Sequence, residues 1–108
     1  MKETFQPTSY ILASHRHGTL YVGVTSNLAQ RLYQHREGLI DGFSKDKGVK
    51  RLVWYEQHAT MENAIIREKR LKKWNRSWKI RIIEETNPDW DDLAIILGFA
   101  PLPSHRVK

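Results

Sequence analysis

The chain has no cysteine, so disulfides and thiolate metal sites are excluded. No apolar run approaches membrane-spanning length, and no secretory signal stands before a small-residue cleavage site. The cytoplasm is therefore the default compartment, with no membrane partner. Internal repeats and low-complexity segments are missing as well. Proline is scarce, and two of the four, Pro101 and Pro103, sit in the last eight residues. Acidic residues are also in short supply, with 12 Asp and Glu against 18 Lys and Arg, for a net charge of +6.

That charge is unevenly spread. Residues 44–81 hold twelve Lys and Arg against Asp46, Glu56, Glu62 and Glu68, a local +8, whereas the rest of the chain sums to −2. A block of this kind suits a polyanion such as nucleic acid; a solvated helical face accounts for it equally well. With 108 residues the chain has room for one modest core. The expected organisation is a single domain over residues 1–98 and an irregular basic tail over 99–108.

Residues 8–13 read as a strand, 15–18 as a turn ending in Gly18, and 19–24 as a second strand rich in β-branched and aromatic residues, giving an antiparallel hairpin. Asn27 caps a helix, with Gln30 as capping-box partner, Leu28 and Leu32 as its apolar stripe and an end near Gly38. A long polar loop containing Phe43 leads to a third strand over 51–56. Residues 60–74 form an amphipathic helix. Ser77 is read as the cap of another helix over 78–85, and Asn87-Pro88 as its stop and the start of a short terminal helix. The order is β-β-α-β-α-α plus a short C-terminal helical element: an α+β fold with a three-stranded antiparallel sheet flanked by helices.

Glu68 is out of place in that pattern. It falls on the apolar face of its helix with Met61, Ala64, Ile65 and Leu71, although the same helix is studded with Lys and Arg. A carboxylate turned inward needs a cation, and a buried Arg or a metal ion would each serve. Arg31 and His35, four apart, share the helix face bordering the Leu28–Leu32 stripe and belong at the edge of the core. If Ser14 pairs with Thr19, Tyr10 lies opposite Gly23 and Tyr21 opposite Leu12, so the two tyrosines are diagonal neighbours on one sheet face.

Taken together, these residues resemble the GIY-YIG nuclease family. Thr8-Ser9-Tyr10 stands where the family has Gly-Ile-Tyr, and Tyr21-Val22-Gly23 stands for Tyr-Ile-Gly on the next strand. Arg31 and His35 match the family's Arg and His, and Glu68 its metal-binding Glu. The likeness runs from about Thr8 to Glu85. It is greatest to small stand-alone bacterial members, through residues 18–25, 67–74 and 87–93. The first element keeps only its Tyr. The family's late Asn has Asn75 as its nearest counterpart.

The resemblance implies a divalent-metal-dependent endonuclease acting on DNA, and RNA is left open. Its one-metal mechanism uses Mg²⁺ or Mn²⁺ on Glu68, Arg31 on the phosphate, and Tyr10 or Tyr21 as base. Protonated His35, Arg31 and the metal would favour the phenolate. Lys45, Lys47, Lys50, Arg70, Lys73 and Lys79 are candidates for phosphate contacts, which position DNA without reading sequence. Trp74 and Trp78 suit either the core or stacking on an unpaired base. Two other classes stay open: a non-catalytic nucleic-acid-binding module of the same fold, and an interaction domain that uses Trp90 and residues 93–99. The latter segment could equally close the core or form a homodimer.

Overall fold

A computed structural model describes residues 5–39 and 48–102. The expected α+β order is found: β1 (Thr8–Ala13), β2 (Leu20–Thr25), α1 (Leu28–Arg36), β3 (Arg51–Gln57), α2 (Met61–Lys73), α3 (Arg76–Thr86) and a 3-10 turn at Leu93–Ile95. The sheet order is β2-β1-β3, antiparallel throughout. Among the described residues no helix is long and apolar enough to cross a membrane.

β1 is the central strand, and every residue in it is buried. Its period-two alternation sends Tyr10 and Leu12 to one face of the sheet and Ile11 and Ala13 to the other. The first face packs with Leu32, Val49, Leu52 and Ala94, and with Leu28 of α1 at its margin. The second packs with Val22, Trp54, Leu71, Ile83 and Trp90. Ile11 pairs with Trp54 but Leu12 pairs with Leu52, so Val53 is an extra residue in β3. This bulge lets Val53 and Trp54 both join the second face.

Thr8 and Ser9 are buried polar residues whose hydroxyls are satisfied. Thr8 Oγ1 donates to the Gln6 carbonyl at 2.7 Å, and Ser9 Oγ lies 2.9 Å from His58 Nε2. Polar side chains are tolerated there because each has a partner.

Some local expectations are corrected. Asn27 caps α1 by accepting from Gln30 N–H, but its own N–H donates to Thr25 Oγ1, so the capping box is half made. Asn75, and not Ser77, caps α3: its Oδ1 accepts from Trp78 N–H at 3.0 Å and from the Ser77 hydroxyl at 2.8 Å. The helix therefore begins two residues earlier than the Ser77 reading places it, at Arg76. No helix starts at Pro88. Asn87 instead ends α3 and turns its buried amide onto the Val53 carbonyl. The later turn is capped by Asp92.

The C-terminal segment closes the core. Trp90 and Ala94 are buried, and Leu93 and Phe99 pack beside Ala94, whereas Ile95, Ile96 and Leu97 stay exposed. Arg36 holds this segment to α1 through Asp92 Oδ2 and the Ala100 carbonyl, each at 2.7 Å. Asp92 Oδ1 also accepts from Leu52 N–H of β3.

Candidate active site

Tyr10 is at the centre of the site. It is fully buried on β1, opposite Gly23 of β2. Leu12 pairs with Tyr21 in the same register, which sets the two tyrosine rings 6.3 Å apart. Gly23 is the seat of the Tyr10 ring: a Cβ there would come within 2.5 Å of its Cζ and hydroxyl. That contact gives the Gly of the second motif a physical reason.

α1 lies over this face. Leu28, Arg31, Leu32 and His35 recur at i, i+3, i+4 and i+7, a single stripe. Leu32 and His35 are buried and Arg31 is half-buried, as a place at the core edge requires. His35 Nε2 lies 3.0 Å from the Tyr10 hydroxyl. Its ring meets both tyrosines edge-on, 5.9 Å from Tyr10 and 5.2 Å from Tyr21.

Burial sets the protonation of the pair. It pushes the Tyr10 phenol well above its ordinary value, helped by Tyr21 and Glu68 and opposed by the Arg31 guanidinium. Burial first and Arg31 second lower His35 to about 4. At neutral pH both groups are uncharged. The expectation of a protonated His35 is thus corrected: the same burial that fixes the ring removes its charge.

Glu68 approaches from α2, buried with Ala64 and Leu71 on the helix face that packs against the sheet. It is only 8 % exposed, and its cation is neither a buried Arg nor one of the residues singled out from sequence. Lys72, one turn on, brings Nζ to 2.6 Å from Oε2. The Lys72 side chain is 55 % exposed, so it reaches the carboxylate from solvent and can leave again. The i, i+4 spacing of Glu68 and Lys72 was the available sequence signal.

The donor set decides which metal would fit. Among the described residues no three His, Cys, Asp or Glu side chains gather as a cage. A single carboxylate whose partner is an exchangeable ammonium suits a hydrated hard cation that keeps most of its waters, as Mg²⁺ does. Glu68 would be its protein ligand.

A second cluster resembles a catalytic triad but lacks the geometry. Ser9 Oγ and Glu56 Oε1 both approach His58 through Nε2, at 2.9 and 3.5 Å. A relay needs the two partners on opposite ring nitrogens.

The expected phosphate contacts are dispersed. Lys45 and Lys47, like Phe43, lie outside the described residues. Lys50 donates to the Arg36 carbonyl at 3.0 Å, where it finishes α1. Arg70 and Lys73 are exposed on α2 and Lys79 is half-buried on α3. Asn75 is occupied as a helix cap and stands apart from the tyrosine cluster's contacts.

Residues 6–81 match the family model described as the GIY-YIG catalytic domain. A UPF0213 protein of Aeromonas salmonicida is 30% identical over 93 residues, covering 84% of this chain and 68% of that protein. One from Bacillus pumilus is 35% identical over 68 residues, covering 63% of this chain and 69% of its own length. The solution NMR structure of a UPF0213 protein from Bacillus halodurans superposes with a TM-score of 0.51 at 23% identity, over 81% of this chain and 92% of that one.

Proposed function

Because the chain belongs to the GIY-YIG family, we propose that it is a divalent-metal-dependent endonuclease that hydrolyses phosphodiester bonds in DNA. Members of the family are generally endonucleases. The observation that carries this reading is the convergence on Tyr10: His35 at hydrogen-bond distance, Tyr21 ring-to-ring, and Arg31 and Glu68 close enough to bias its ionisation.

Hydrolysis forms a phosphorus–oxygen bond to water, breaks the bond to the leaving oxygen, and moves the water's proton. Arg31 takes a phosphate oxygen in its planar fork and offsets the charge that builds there. Tyr21 would act as base in its phenolate form, its hydroxyl proton first lost to solvent; it takes the water's proton, and solvent protonates the departing oxygen. Of the two tyrosines it is the one partly open to solvent, whereas Tyr10 is sealed in the core and held as a phenol. The Tyr10–His35 pair fixes the wall against which Tyr21 and the phosphate are placed. A divalent ion on Glu68 would supply positive charge to the phosphate and the leaving oxygen. Arg70, Lys73 and Lys79 add phosphate contacts that carry no sequence information.

One observation favours a non-catalytic binding module instead: Lys72 already neutralises Glu68. The two readings separate when labelled DNA and RNA substrates are incubated with Mg²⁺, Mn²⁺ or EDTA. Metal-dependent strand scission abolished by Glu68→Gln supports the nuclease. Binding that is indifferent to the metal, with no scission of any substrate, supports the module.

A further inference from the structure

We infer that the cleft between α2 and α3 is a stacking site for one unpaired base of the bound nucleic-acid strand. Trp78, Arg81, Ile82 and Glu85 recur at i, i+3, i+4 and i+7 on α3 and face Arg67 and Trp74 across a cavity of about 390 Å³. That volume is within the range of small-ligand sites. Trp74 and Trp78 meet edge to face, with ring centres 5.7 Å apart. Trp74 is packed against the core, whereas Trp78 is 53 % exposed. One wall is thus anchored and the other offers an open aromatic surface.

The arginines differ in the same way. Arg67 is fixed: its guanidinium lies 5.7 Å from the Trp54 ring centre and 5.5 Å from that of Trp74, and its Nε donates to Glu56 at 2.9 Å. It braces the anchored wall. Arg81 is exposed at the rim. Two indoles, a free guanidinium and the basic run Lys69, Arg70, Lys72 and Lys73 on the adjoining helix suit a flat aromatic group tethered to phosphates. Glu85 opposes a phosphate at its own position, but it can accept from an exocyclic amino group. Trp74 is the C-cap of the helix that carries Glu68. The cleft thus adjoins the basic end of that helix, where Arg70 and Lys73 are exposed to a strand's phosphates.

This inference rests on the nuclease reading, and its test keeps the two apart. A short labelled single strand and its duplex are titrated at low salt in EDTA with the wild type, Trp78→Ala, Trp78→Phe and Arg81→Glu. Trp78→Ala should weaken single-strand binding about tenfold and leave duplex binding within about twofold. Trp78→Phe should retain most of the affinity. Arg81→Glu, which removes no packed side chain, should weaken single-strand binding severalfold. If the wild type binds the single strand and Trp78→Ala and Arg81→Glu bind it equally well, the cleft is not a base site and the nuclease reading stands. If the wild type binds neither strand nor duplex, both ideas fall. Two further results overturn the inference. One is a deoxynucleoside monophosphate that occupies the cleft as tightly as the strand. The other is a concentration-dependent dimer, seen by sedimentation, that Trp78→Ala abolishes without changing strand affinity.

Discussion

The Tyr10 hydroxyl and His35 Nε2 lie 3.0 Å apart in the buried core, and one proton serves both. Neither ring can gain or lose charge cheaply where it sits. Their pairing therefore fixes geometry at neutral pH without adding charge to the site.

A pH dependence of folding follows. His35 is held at about 4 in the folded protein, below the ordinary 6.5 of an unfolded chain. The unfolded state binds the extra proton first as pH falls. The contribution is thus fully present above pH 6.5 and is lost progressively toward pH 4. Between pH 7.5 and pH 5 the loss should be about 2 kcal/mol. Urea midpoints measured across that range should fall in the wild type and fall less in His35→Gln. Parallel curves for the two proteins would contradict a neutral buried imidazole.

Arg31→Lys keeps a positive charge but removes the planar fork. Arg31 is half-buried at the site and lowers the ionisation cost of Tyr10, so both functions are exposed to this change. Cleavage should drop by about a hundredfold, on the scale of losing a placed charge-stabilising donor. Thermal midpoint and DNA affinity should hardly move. Near-normal turnover by this variant would reduce Arg31 to a structural role.

Glu68 and Lys72 give opposite results in a metal titration. Glu68→Gln strands only an exposed ammonium, so metal-free stability should change by no more than about 1 kcal/mol. Its calorimetric Mg²⁺ signal should vanish. Lys72→Met removes the competing ammonium and leaves the carboxylate uncompensated. It should melt earlier without metal and gain more from added Mg²⁺ than the wild type does. Equal Mg²⁺-induced shifts in the wild type and Lys72→Met would dismiss the competition.

Gly23→Ala tests the seat of Tyr10. The added Cβ would meet the ring at 2.5 Å, and that ring is buried and tied to His35. A loss of about 1–3 kcal/mol is expected from overpacking, measured by chemical denaturation. An unchanged midpoint would mean that the ring yields freely.

Much of this was legible in the sequence, because the signals were local. The hairpin register followed from Ser14 and Thr19 flanking a short turn, and Ser14 N–H does donate to the Thr19 carbonyl at 3.0 Å. Helical periodicity located the stripe of Leu28, Arg31, Leu32 and His35 and set Glu68 inward. Other features depended on longer-range packing. The charge of His35 is decided by what covers it, which spacing along a helix does not reveal. The bulge at Val53 requires knowing which residue of β1 faces which of β3. The start of α3 is ambiguous in sequence because Ser77 is as good a capping residue type as Asn75. Lys72 was within reach, one helical turn from Glu68, but it was hidden among several cations on the same helix.

The anchoring by Asn87 and Asp92 has a consequence for where this protein can be cut. β3 is an outer strand of the sheet, and an outer strand offers unpaired backbone groups to any other strand that approaches. Here the Leu52 N–H is taken by Asp92 and the Val53 carbonyl by Asn87, while Arg51 reaches the Trp90 carbonyl. Both guards, Asp92 and Asn87, lie beyond residue 81, where the family match ends. A polypeptide trimmed to that match would keep Tyr10, Tyr21, Arg31, His35 and Glu68 yet bare the rim of its own sheet. The same cut would pass through α3 and remove Ile83, Trp90 and Ala94 from the two cores, so the site's own packing ends with the edge's protection.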